Sequence, residues 1–208
     1  MNTFAKKVLS RKLLSENFDA PILYENSDGN VAEWVEVLND AACYTFTDDG
    51  DHQKLEAVNP PGNSDGRWRY DNAIALTWTD YEFRFALGHS IERPWSIYFG
   101  VRTLLDGSGM YFEKGMHVGQ WVPRGPNWHI IKNESYEIEN GDTIKIRITG
   151  IDAAAVVKIF QNGLLVLHAD TPDANRNTGS IFLGMLSHLF TPKPTMHFTF
   201  KDLLVRGL

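Results

Sequence analysis

Alternation of apolar and polar residues with a period of two dominates this chain. In Y-E-F-R-F-A, Tyr81, Phe83 and Phe85 fall on one side and Glu82 and Arg84 on the other, the pattern of a strand with one face on a core. The run T-I-K-I-R-I-T repeats it with Ile144, Ile146 and Ile148, leaving Lys145 and Arg147 to a solvated face. Between V-V-K-I-F-Q and L-L-V-L stands Asn162-Gly163, the dipeptide of a type I′ hairpin turn. That turn sets Ile159 opposite Val166 and Phe160 opposite Leu165. Short strands are also predicted at 33–38, 43–47, 179–189 and 196–205. The stretch 58–71, rich in Pro, Gly, Asn and Asp, reads as a long loop, and 122–129 as a second one. Helical periodicity is not sustained beyond the first 14 residues.

The segment from Trp95 to Trp121 reads as two long strands joined at Asp106-Gly107-Ser108-Gly109, where Gly107 supplies the positive φ of a two-residue loop. With the loop at Gly107 and Ser108, Ile97 faces Val118, Phe99 faces Met116 and Thr103 faces Phe112, which makes one face core. The opposite face then pairs Tyr98 with His117, Gly100 with Gly115, Arg102 with Glu113 and Leu104 with Tyr111. A slip of one residue would drive Glu113 and His117 into the core, so the pattern itself resists it. The two glycines leave a shallow floor between Tyr98 and His117 on one side and Arg102 and Glu113 on the other, a candidate ligand slot.

Many short strands separated by turns predict an all-β protein, a two-sheet antiparallel sandwich of jelly-roll type, with a closed barrel as the lesser alternative. The organisation expected is a basic leader over 1–15 and one domain over 16–208. A chain of 208 residues buries enough surface to fold without staples. The net charge of −6 argues against nucleic acid and mildly disfavours polyanionic glycans. The single Cys43 excludes an internal disulfide framework and reads as a small buried apolar residue. No run approaches the roughly 20 apolar residues of a membrane helix, and the basic start lacks the apolar stretch of a secretory signal. Those two features set a cytoplasmic expectation with no membrane partner. The seven histidines show no His-x-His or His-Glu-x-x-His spacing, which argues against a catalytic metal.

The strand Y-E-F-R-F, the strand S-I-Y-F-G-V-R followed by M-Y-F-E, the hairpin K-I-F-Q-N-G-L-L-V, and the closing G-S-I-F-L-G and F-T-F-K-D-L-L-V together resemble a concanavalin A-like, laminin-G-like jelly roll. The nearest pattern within that group is the bacterial domain family named for 3-keto-disaccharide hydrolases. The resemblance covers the chain from about Phe18 to its end and marks a fold, not a catalytic signature. It implies a curved sheet whose concave face binds glycans or carries catalytic groups, and it maps Arg102 and Glu113 onto that groove. It also implies a structural calcium between the first and last strands, for which Asp19 and Asp202 are the available carboxylates; no other cofactor is expected.

Two functional readings follow from these residues. In the first, a polyhydroxylated ligand, glycan or small molecule, stacks on Tyr98, Trp121 and Trp68, while Arg102, Glu113 and Gln120 hold its hydroxyls. Tyr70, at the end of the same loop as Trp68, Tyr111 and His188 complete that lining. In the second, the slot is catalytic. Glu113 opposite Arg102 is held ionised and is a poor general acid, which disfavours a glycosidase pair. Arg102, His117, Gln120 and Tyr98 instead resemble the toolkit of a polysaccharide lyase, and His117 with Tyr98 could equally serve a small-molecule cyclase or isomerase. Against both stands the plain alternative, in which Arg102–Glu113 is a cross-strand ion pair and Trp68 plugs the end of the sandwich. The oligomeric state is left open, with a homodimer as one arrangement.

Overall fold

The computed structural model describes residues 22–25, 34–48, 52–58, 60, 62, 64–89, 95–103, 110–115, 121–124, 129–133, 138–171, 177–187 and 196–208. Among these, fifteen strands build two antiparallel sheets. One sheet has nine strands. Its order is β10 (His129–Asn133), β13 (Leu164–Thr171), β12 (Ala155–Gln161), β11 (Asp142–Thr149), β6 (Tyr81–His89), β15 (Met196–Gly207), β4 (His52–Ala57) and β3 (Tyr44–Asp48). The ninth, β1 (Ile22–Glu25), pairs with Leu204–Arg206 of β15. The second sheet runs β2 (Trp34–Asn39), β5 (Asp65–Tyr70), β14 (Ser180–Ser187), β7 (Trp95–Thr103), β8 (Met110–Gly115) and β9 (Trp121–Arg124). The predicted sandwich is therefore the observed one.

The alternating residues do what their period requires. Tyr81, Phe83 and Phe85 of β6 and Ile144, Ile146 and Ile148 of β11 are buried between the sheets. Phe85 joins the layers, its ring 5.1 Å from Phe99 of β7 and 5.4 Å from Phe200 of β15. The Asn162-Gly163 turn forms with both residues at positive φ, as a type I′ turn demands. Phe160 faces Leu165 as predicted, but Ile159 faces Leu167, not Val166. A bulge on β13 absorbs the extra residue and lets Val166 and Leu167 both enter the core.

Three other expectations are corrected. The stretch 58–71 is not all loop: Asp65–Tyr70 is a central strand of the second sheet, with Trp68 and Tyr70 turned inward. Its turn-rich beginning masks the period-two run R-W-R-Y. Likewise 122–124, read as loop, belongs to β9. In the central hairpin, Phe99 faces Phe112, Tyr98 faces Glu113 and Gly100 faces Tyr111, a displacement of four residues from the predicted pairing. Four is even, so the faces survive the shift: Ile97, Phe99 and Phe112 are core as expected.

On its other edge β7 breaks its alternation at Arg102. Ser180 pairs with Thr103 and Phe182 with Gly100, so Val101 and Arg102 together oppose Ile181 in a bulge, and Arg102 takes a φ of 50°. The bulge turns the Arg102 side chain toward the end of the sandwich, where it is 0% exposed. Its guanidinium donates to the carbonyl of Thr79 (3.1 Å from Nε, 3.0 Å from Nη2), to that of Gly150 (2.6 Å) and to Asp80 Oδ1 (3.3 Å). Burial lowers its pKa, and the neighbouring Tyr81 and Asp80 pull the other way.

The Tyr81 hydroxyl sits in the same corner. It accepts the Arg102 amide at 2.7 Å and donates to the Ser180 carbonyl at 3.2 Å. Across the core, Tyr44 donates to the Ser64 carbonyl at 2.8 Å. Burial pushes both phenols well above the ordinary tyrosine value of 10. A raised folded-state pKa favours the protonated form in the native state, so the stability it confers is complete below the unfolded value and falls as pH rises above it. The urea midpoint is expected to hold up to about pH 9.5 and decline steeply by about pH 11. A Tyr81→Phe, Tyr44→Phe double variant, though less stable at neutral pH, should show a shallower alkaline decline; an equal slope would place that loss elsewhere.

Candidate functional site

Each sheet has an outer face, and the two differ in kind. On the six-stranded sheet the register aligns Leu38, Arg67, Gly184, Tyr98 and Glu113 across β2, β5, β14, β7 and β8. The Arg67 guanidinium lies 5.7 Å from the centre of the Tyr98 ring and 6.0 Å from that of Phe182, and it bonds Asp65, with Nε 2.7 Å from Oδ2. Burial pushes the Asp65 carboxyl up; Arg67 opposes this and Asp40 adds to it. Phe182 lies against Gly100, where any β-carbon would meet its ring, so the expected glycine floor is filled. With Tyr98 8% and Phe182 1% exposed, this face is packed rather than open.

The residues singled out from sequence separate accordingly. Arg102 does not meet Glu113; it points into the sandwich end, because the bulge reverses its side. Trp68 and Tyr70 are core residues, Trp68 stacked 5.7 Å from Phe46 and Tyr70 stacked 5.8 Å from Trp78, which withdraws both from the outer face. Glu113 stands opposite Tyr98, Tyr111 opposite Gly100 and Trp121 opposite Lys114 in the ladder. His117, Gln120, His188 and Asp19 lie outside the described residues. Asp202 is exposed in a bulge of β15 at φ 53°, a backbone position that Asp tolerates better than most residues. Among the described residues no group of three or more His, Cys, Asp and Glu is arranged to hold a metal ion.

On the outer face of the nine-stranded sheet lies a groove of about 310 Å³, within the range of small-ligand sites. Ala86 and Gly88 form its floor, and Thr199, Lys201, His197 and Asn140 bring polar groups to it. Sequence reasoning passed over it, although the signal was present. The outward positions of β6 run Glu82, Arg84, Ala86, Gly88, so large polar side chains give way to none within one strand. Thr199 packs against Gly88, where a β-carbon would strike its hydroxyl. That contact makes glycine necessary for the sheet to bring β6 and β15 together with a threonine facing outward.

A two-sheet sandwich with this strand order has the concanavalin A-like, galectin-like jelly-roll fold of lectins. A galectin-like Bacillus subtilis protein of unknown function superposes with a TM-score of 0.58 at 12% identity, over 89% of this chain and 96% of that one. A carbohydrate-binding module from Bacillus subtilis gives 0.53 at 11% identity, over 84% and 96% of the two chains. A metal-free lectin of Griffonia simplicifolia gives 0.53 at 12%, over 88% and 97%. At such identities the likeness shows the fold alone. No protein-family model matches the chain, so the narrower likeness to the 3-keto-disaccharide hydrolase family rests on its strand motifs only. No curated protein sequence matches it either.

Proposed function

We propose that this protein is a carbohydrate-binding module whose ligand seats in the groove on the nine-stranded sheet. The observation that carries the proposal is the groove itself: a floor of Ala86 and Gly88 admits a sugar ring to the sheet surface, and Thr199, Lys201, His197 and Asn140 surround it with hydrogen-bonding groups. Phe160, half-buried one row away on the same face, supplies an aromatic surface for the apolar side of a neighbouring ring. The lectin-like sandwich supports the same function, as does the carbohydrate-binding module among its structural neighbours.

A second reading keeps the ligand on the six-stranded sheet, favoured by Arg67 held beside Tyr98 with Glu113 in register. A lyase mechanism through Arg102 gains no support, because its donors are committed to Thr79, Gly150 and Asp80. The test is a glycan array followed by titration of the best ligand. Ala86→Leu adds three carbons to the groove from an outward position, leaves the core untouched, and is expected to weaken binding at least about tenfold, a loss of roughly 1.4 kcal/mol. Arg67→Gln is expected to change little. The reverse pattern would move the site to the other sheet, and an array without a single glycan hit would remove the function.

A further inference from the structure

The described outward positions of the nine-stranded sheet carry a net charge opposite in sign to that of the whole protein. Across β15, β6, β11, β12 and β13 one row reads Arg206, Glu82, Arg147, Lys158, His168. The next reads Leu204, Arg84, Lys145, Phe160, Leu165, and beyond it Lys201 and Lys54 flank the groove end. At described outward positions there are seven lysines and arginines against four carboxylates, Glu56, Glu82, Asp170 and the bulge residue Asp202. The chain as a whole carries −6, so the cations are segregated, not merely abundant.

Several of these cations have no anionic partner of their own. Arg147 is bound by Glu82 at 2.6 Å and Lys54 by Glu56 at 2.5 Å. Lys145 stands 5.1 Å over the centre of the Phe160 ring, and neither it, Lys158 nor Lys201 makes an ion pair among the described residues. Strands lie about 4.8 Å apart and outward positions along one strand about 7 Å apart, so these amines form an array on the scale of consecutive sugars. Lys145 and Lys158, one strand and one outward position apart, stand about one Debye length (about 8 Å at physiological salt) from each other, so their fields overlap, while Lys201 stands two strands from Lys145.

We infer that the face binds an acidic polysaccharide bearing one carboxylate per sugar, a polyuronate. The inference rests on the carbohydrate reading above and names its ligand class. Apolar surface at Phe160 and Leu165 alternates with amines, as a chain of rings with an apolar side and a charged edge requires. Glu82 and Glu56, interleaved with the cations, keep the positive density low enough for one charge per ring and repel a densely sulfated chain. Base stacking is served poorly, since Phe160 is the one aromatic at the described outward positions of β4, β6, β11, β12, β13 and β15. The overall negative charge, which counts against polyanions when read from composition, is a sum over the chain and does not describe these positions.

The experiment compares polygalacturonate with the same polymer methyl-esterified, with dextran sulfate and with oligo-dT, by calorimetry at about 50 and about 200 mM salt. Binding to polygalacturonate is expected to weaken at least tenfold on esterification and to fall as salt rises. The variant K145Q/K158Q/K201Q, whose changes lie outside the core, should lose at least tenfold in affinity with an unchanged melting temperature. Equal binding of the ester, tighter binding of dextran sulfate or oligo-dT, or a triple variant that binds normally would overturn the inference. A groove that binds neutral sugars and ignores carboxylates would overturn it while leaving the carbohydrate function standing. Failure to bind polygalacturonate would overturn the inference, and only a glycan array without a hit would remove the carbohydrate function with it.

Discussion

Arg102→Met is expected to lower the stability of the protein by about 2–3 kcal/mol, the range for removing a charged hydrogen-bond donor from main-chain carbonyls. The guanidinium satisfies the carbonyls of Thr79 and Gly150, which belong to the ends of strands in the nine-stranded sheet, from a bulge in the other sheet. Methionine fills most of the volume but donates nothing, so the two carbonyls lose a charged donor and must turn to water at the partly exposed end of the sandwich. For a chain of this size that loss corresponds to a fall in melting temperature of roughly 10 °C, measured by calorimetry or circular dichroism. Arg102→Lys should recover only part of it, because a single ammonium cannot span both carbonyls as the planar fork does. A melting temperature within about 2 °C of the parent would show that the network contributes little.

Gly179→Ala acts on the same corner from the other chain segment and should cost at least about 3 kcal/mol. Gly179 has a φ of 144°, and a β-carbon there would strike the backbone of Arg102 and Thr103 rather than any side chain that could rotate away. Its amide is bonded to the Trp78 carbonyl at 3.0 Å, which fixes it in place. The backbone strain alone is worth about 1–2 kcal/mol for an alanine, and the clash adds displacement of β7. Soluble, cooperatively folded protein with an unchanged urea midpoint would refute this. Gly163→Ala, also at a positive φ (79°) but with open space around its β-carbon, is the control: it should suffer only the conformational penalty.

The strands whose partners are local were legible in the sequence. Ile144, Ile146 and Ile148, or Tyr81, Phe83 and Phe85, need only a period of two to find the core, and Asn162-Gly163 needs only its own backbone preference. What escaped was whatever a bulge decides. Arg102 occupies an outward position by strict alternation, and one extra residue opposite Ile181 carries it inward and ends the expected clamp with Glu113. Trp68 and Tyr70 escaped for a different reason: Pro and Gly upstream made a central strand resemble a loop, and exposed aromatics were inferred where core aromatics stand. The groove was legible in principle as Ala86 and Gly88 on the polar side of β6, but its depth depends on β15 as the neighbour, a pairing of residues more than a hundred positions apart. A sum of charge over the chain likewise carries no information about sides.

That sidedness has a mechanical consequence. On the polyuronate reading, cations gathered at the described outward positions of one broad face let the field of an anionic polymer orient the molecule before contact, with the nine-stranded sheet turned toward it.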